Sequence, residues 1–180
     1  MRPIIYFSLA FAFSELVLMF VKRSKDDSVK ARNDRGSLIF LWLTITGGFV
    51  GGFILSNPPN QFWLGFGIPL IIGGLVIRWI AILQLGSSFT VDVAINKAST
   101  LKTDDIYERI RHPSYSGMLL VIVGFASAMN SIYSFLVFVG PVFVAVIYRV
   151  RIEESLLKKE FGDSYSRYSS NTKKLIPGIY

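Results

Sequence analysis

Apolar residues along the chain gather into five blocks, at about 3–21, 37–55, 62–83, 114–129 and 132–148. A bilayer is crossed by ~20 apolar residues, or by somewhat fewer in a short helix. The pattern therefore predicts an all-α fold, a polytopic membrane helix bundle with five transmembrane helices. The first block follows Arg2, as the apolar core of a signal peptide would. No small-x-small cleavage site follows it and the next residues are basic, so a retained helix is expected.

The interruptions between blocks predict the connections. Asn57-Pro58-Pro59-Asn60 separates the second span from the third, and Asn130-Ser131 makes a tight turn from the fourth into the fifth. Spans 4 and 5 are short, which predicts a closely coupled helical hairpin. From Arg149 the sequence turns polar without a helix breaker. The fifth helix is thus expected to leave the bilayer as a C-terminal helix ending at Phe161-Gly162, with glycine as C-cap. The chain reads as a single membrane domain, 1–180, with three spans in 1–83 and the polar motifs in 84–180.

Composition agrees. Of 180 residues, 52% are apolar and 17% charged, and mean hydropathy is +0.49; a soluble domain of this length carries more charge. With no cysteine and one histidine, disulfides, thiolate nucleophiles and Cys- or His-rich metal sites are excluded, and no metal is expected. A net charge of +7 could suggest nucleic acid. Its placement argues against that partner. Six basic residues fall in 22–35, four in 84–111 and seven from Arg149 onward, seventeen of the nineteen in all. The connections at 56–61 and 130–131 hold none. With five spans the basic segments share one side, which predicts an external N-terminus and a cytosolic C-terminal helix.

Gly47 and Gly51, and Gly48 and Gly52, are spaced four apart in the second span, so a neighbouring backbone can approach there. Packing within the chain is expected first, giving a monomer, or a weak dimer through the Gly47/Gly51 face. Gly65-x-Gly67 and Gly73-Gly74 lie in an apolar helix with no preceding strand, so they are not a dinucleotide fingerprint.

Two constellations can carry chemistry. In Arg111-His112-Pro113-Ser114-Tyr115, the proline is suited to the first turn of a helix and disfavours the α conformation at His112. Span 4 should start there, with free N–H groups and a positive dipole end able to seat a carboxylate or phosphate. The alternative has Arg111 binding lipid headgroups, His112 capping the helix and Tyr115 in the interfacial aromatic belt. The second is Arg149, Glu153 and Glu154, where the fifth span leaves the membrane. Arg149 and Glu153 share a face, as a salt bridge or as a pocket wall with both signs of charge. Within spans, Arg78 is expected to snorkel to the boundary and Glu15 to pair inside the bundle.

In order, the chain shows Leu85-Gly86-Ser87-Ser88-Phe89, Ile106-Tyr107, Arg111-His112-Pro113-x-Tyr115, a helical hairpin, Arg149, Glu153-Glu154, and Phe161-Gly162-Asp163-x-Tyr165-x-x-Tyr168. This order resembles the isoprenylcysteine carboxyl methyltransferase family and its prokaryotic relatives, from about residue 84 to the C-terminus. The resemblance implies an integral membrane enzyme dependent on S-adenosylmethionine, with S-adenosylhomocysteine as product. It implies methylation of a lipophilic acceptor, a carboxylate of a prenylcysteine-like substrate, with the cofactor entering from the cytosol and the acceptor from membrane lipid. Residues 84–180 become the cofactor-binding and catalytic region. His112, Pro113, Ser114 and Tyr115 would line the cofactor pocket with Tyr107 beside them. Glu153 and Glu154 would meet the cofactor's cationic end, with Arg149 and Glu153 as catalytic residues, Arg149 orienting the acceptor carboxylate. Where many relatives have His-x-Leu-Val, this chain has Ser99-Thr100-Leu101-Lys102, so Leu101 alone carries that cofactor contact. Other readings are an NADPH-dependent membrane reductase of the sterol reductase type, a phospholipid or thiol methyltransferase, and a non-enzymatic membrane scaffold.

Overall fold

A computed structural model describes residues 2–21, 34–89 and 100–178. The basic stretch at 22–33 and the segment 90–99, with Lys97 and Ser99, lie outside the described residues. Five helices occupy the five apolar blocks: α1 (Arg2–Val21), α2 (Asp34–Ile54), α3 (Gln61–Leu85), α4 (Pro113–Ala128) and α5 (Ile132–Asn171). The segments Gly36–Ile54, Gln61–Leu85 and Ile132–Asn171 are long and apolar enough to cross a membrane; the apolar stretches Ile4–Phe20 and Pro113–Ala128 are shorter. Outward faces are apolar, as lipid contact requires: Phe13, Leu43, Ile54, Phe62 and Leu83 are all well exposed.

The helix ends follow local chemistry. Asn60 caps α3, accepting from Phe62 N at 2.8 Å. Ser131 caps α5, accepting from Ser134 N at 3.4 Å. The turn between α4 and α5 passes through Asn130 at φ 53°, a left-handed conformation that asparagine tolerates. Asn130 Nδ2 donates to Pro58 O, and Asn57 Nδ2 donates to Asn130 O, both at 2.8 Å. These two base-free connections are thus bonded together at one end of the bundle, and the motif segment and the C-terminal tail meet at the other.

Glycine seams set the packing. A Cβ on Gly74 would stand 2.6 Å from Gly117 O, and one on Gly67 would stand 2.5 Å from Gly124 O. Two pairs spaced seven apart therefore bring the α3 and α4 backbones into contact. On α2, Gly48 and Gly52 admit Phe138 and Met129. Gly51 faces Val137 of α5 while Gly47 has open space, so the Gly47/Gly51 pair does not make one outward face. Behind the seams, Phe49 meets Phe125 edge-on and Phe138 at a tilt, at centroid distances of 5.1 and 4.6 Å.

Gly162, the expected C-cap, breaks α5 at φ 52°, ψ −121°, a positive-φ conformation open to glycine. The helix does not end at that point. It resumes to Asn171, and the tail after it turns back along the start of α4.

Candidate functional site

Pro113 opens α4, and His112 precedes it at φ −125°, ψ 57°. The His112 side chain makes no capping bond. Its ring is 3% exposed and points to α5, with Nδ1 3.8 Å from Glu153 Oε1 and Nε2 3.4 Å from Glu154 Oε1. Arg111 does not reach for headgroups. Its Nε donates to Glu154 Oε1 at 2.8 Å, and its Nη1 donates to Ser169 O at 2.8 Å and to Thr172 O. The backbone donors of Arg111 and His112 go to Lys173 O and Lys174 O at 2.8 and 3.0 Å. Ser116 Oγ donates to Leu175 O at 2.6 Å. The tail thus occupies part of the seat that sequence analysis left open for an anion.

Glu154 is the hub of this lock, with Lys174 Nζ 3.2 Å from its Oε2. Burial opposes its ionisation, but the hydrogen bonds and charges of His112 and Arg111 outweigh burial and hold the carboxyl down at about 2. The nearby phenols go the other way. Burial, with Glu153 adding to it, pushes Tyr107 up, and burial pushes Tyr168 up to about 12 against the opposing charge of Arg111. Both stay neutral at physiological pH. Tyr168 Oη donates to Tyr107 O at 2.6 Å, and Tyr107 Oη donates to Ala81 O at 3.1 Å, pinning the 105–108 turn to α3 and to the end of α5.

Arg149 is 2% exposed on α5. Its Nε donates to Tyr115 Oη at 2.9 Å and its Nη1 to Ser37 Oγ at 3.0 Å. Arg78 is 7% exposed and does not snorkel. It forms a two-pronged pair with Glu15, Nε to Oε1 at 2.6 Å and Nη2 to Oε2 at 2.7 Å. Its Nη1 donates to Ser114 Oγ at 2.9 Å and to Ser114 O at 3.2 Å. Pairing inside the bundle was expected of Glu15; its partner and the tether to α4 were not.

These groups surround one cavity of about 150 Å³. Leu101, Tyr107, His112, Pro113, Ser114 and Tyr115 line it, as do Arg149 and Glu153. Glu154 does not; it stands behind His112. Sequence reasoning missed the side of the wall away from the motif. Leu38, Leu41, Trp42 and Ile45 of α2 face the cavity, together with Met118 and the Glu15–Arg78 pair. The 38/41/42/45 spacing is one helical face, but in an apolar span it cannot be told from lipid contact. The cavity therefore has a polar end at the motif and an apolar end between helices. That arrangement can hold a polar ligand against a lipophilic one.

Residues 62–164 match the family model described as phospholipid methyltransferase. The chain is 34% identical over 123 residues to protein-S-isoprenylcysteine O-methyltransferase B of Arabidopsis thaliana, covering 67% of this chain and 62% of that protein. It is 31% identical over 130 residues to a probable protein-S-isoprenylcysteine O-methyltransferase of Oryza sativa subsp. indica, covering 70% and 68%. The match thus spans about three fifths of the Arabidopsis protein's length. The fold is similar to a solved eukaryotic intramembrane Ras methyltransferase, isoprenylcysteine carboxyl methyltransferase. The TM-score is 0.70 at 23% identity, over 98% of this chain and 66% of that one.

Proposed function

The chain belongs to the isoprenylcysteine carboxyl methyltransferase family, and on that premise we propose that it methylates the carboxylate of a lipophilic, prenylcysteine-like acceptor at the membrane–cytosol boundary with S-adenosylmethionine. The observation that carries the reading is one continuous cavity, polar at the His112–Tyr115 helix start and apolar along α2. The donor set suits the cofactor: a carboxylate, Glu153, with the aromatic rings of Tyr107 and Tyr168 at the polar end, favours a cationic sulfonium and a stacked base. Leu101, Tyr107, His112, Pro113, Ser114 and Tyr115 would hold it with Glu153, while Glu154 acts from behind by fixing His112 and Arg111. Bound there, the cofactor would supply a methyl group on a sulfonium for transfer to the acceptor's carboxylate oxygen, with S-adenosylhomocysteine as the product.

The chain's own part is alignment and charge. Arg149, held by Tyr115 and Ser37, orients the acceptor carboxylate, which is already anionic and needs no strong base. Alignment of this kind can supply on the order of 7–11 kcal/mol in favourable intramolecular cases. The apolar helices exclude water and strengthen the attraction between sulfonium and carboxylate. The one-sided placement of the basic segments supports a cytosolic site with the N-terminus outside, and Gly51 packed against Val137 of the same chain favours a monomer over a dimer through the Gly47/Gly51 face.

Titration calorimetry on the purified protein in detergent tests the reading. Binding of S-adenosylhomocysteine is expected at micromolar affinity, weakened by His112→Ala and by Glu154→Ala. No binding of either cofactor form, with NADPH bound instead, sinks it. Arg149→Lys keeps the charge but loses the fork that meets both Tyr115 and Ser37. It should leave cofactor affinity unchanged and lower methyl transfer at least tenfold; equal rates refute the acceptor role.

A further inference from the structure

The α1 and α2 side of the cavity wall lies outside the region that the family model matches, which begins at residue 62. That side is where acceptor selection can be particular to this chain. On it, Leu38, Leu41 and Ile45 offer only apolar surface, and Trp42 among them carries one polar atom. The Trp42 indole nitrogen is buried and has no hydrogen-bond partner. A buried donor left unmade costs about 1–3 kcal/mol, so its place in a cavity wall points to a partner that arrives with a ligand.

The surroundings say what that partner is. An indole N–H can only donate. Trp42 follows Ser37 by five residues, about 7–8 Å along α2, and helical side chains lean toward the N-terminus, here toward the Ser37 level where Arg149 is held. Arg149 is cationic. Of the two carboxylates that line the cavity, Glu15 has both oxygens accepting from Arg78, and Glu153 stands at the His112 end. On the α2 wall, the Trp42 N–H is therefore a donor that calls for an acceptor oxygen.

We propose that Trp42 is a specificity-determining residue whose indole N–H donates to an oxygen on the acceptor's polar head, so that the cavity takes lipophilic acceptors bearing a carboxylate or carbonyl and discriminates against amine heads. The proposal rests on the methyltransferase reading, and its test separates the two. With N-acetyl-S-farnesyl-L-cysteine as acceptor, Trp42→Phe keeps an aromatic ring and removes the donor. KM should rise roughly tenfold with kcat within about twofold, the signature of binding lost equally in ground and transition states, and affinity for S-adenosylhomocysteine should not change. S-farnesylcysteamine, the amine-headed counterpart, should bind poorly to both proteins.

In the unaltered protein the Trp42 indole proton, assigned with Trp63→Phe and Trp79→Phe, should move downfield when the farnesylcysteine is added. That measurement stands if Trp42→Phe does not fold. An unchanged KM with intact cofactor affinity, or an indole proton that does not move, overturns the assignment of Trp42 alone. Failure of the unaltered protein to bind S-adenosylhomocysteine overturns the methyltransferase reading and this proposal with it.

Discussion

Replacing Glu15 by leucine removes the only anion bonded to the Arg78 fork among the described residues and leaves a guanidinium buried at 7% exposure among apolar helices. Breaking a buried pair by deleting one partner costs about 3–5 kcal/mol, whereas replacing both partners with apolar residues of similar volume is often neutral or stabilising. Glu15→Leu should therefore lose about 3–5 kcal/mol. Glu15→Leu with Arg78→Met should return to within ~1.5 kcal/mol of the parent. The coupling energy between the two changes is then at least ~1.5 kcal/mol. Reversible unfolding in mixed detergent micelles, followed by tryptophan fluorescence, measures all four corners of the cycle. The double variant also separates fold from site. Arg78 tethers the carbonyl and hydroxyl of Ser114 at the start of α4, so the rescued protein should still bind S-adenosylhomocysteine more weakly. Additive losses, with the double variant less stable than either single, would refute the buried-pair account. Full recovery of cofactor affinity would refute the tether.

Two further outcomes follow from the geometry. Glu154 ionises at about 2 in the folded chain against an ordinary 4.5. Its contribution, at most about 3 kcal/mol, is complete above pH ~4.5 and lost as pH falls from there toward 2. Glu154→Gln should flatten the stability profile in that window and leave its slope near neutrality unchanged, and an unaltered acid limb contradicts the lock around Arg111 and His112. Gly117→Ala puts a Cβ 2.5 Å from Gly74 O, and separating α3 from α4 should cost about 1–3 kcal/mol, read as a lowered midpoint in the same unfolding assay. Gly47→Ala meets open space and should change little.

The helices were legible because lipid-facing and core-facing residues are both apolar, so each span is written as a continuous block. All five blocks fall on helices, α1 to α4 to within three residues at either end, while α5 bends at Gly162 and runs on to Asn171 where an end was expected. That same uniformity hides which face looks where. Nothing in an apolar span distinguishes Leu38, Leu41, Trp42 and Ile45 from lipid contacts, so the α2 wall of the cavity went unseen. Pairing across sequence was equally hidden. Arg78 was expected at the boundary because a lone arginine near a span end can reach it; the partner that keeps it buried sits 63 residues away on α1. The tail from Thr172 to Leu175 carries no periodic signal, and only its bonds to Arg111, His112 and Ser116 show that it completes the site. The motif residues gathered as expected, with Glu154 one layer behind the wall, because the short α4–α5 hairpin returns α5 alongside the helix start.

The central claim is methyl transfer to a lipophilic carboxylate, and the most direct measurement is transfer of labelled methyl from S-adenosylmethionine to N-acetyl-S-farnesyl-L-cysteine by the purified protein in liposomes. The account predicts a base-labile methyl ester whose formation needs the farnesyl chain and falls at least tenfold in Arg149→Lys. Intact cofactor binding with label appearing only on an amine or thiol acceptor, and never as an ester, would contradict it.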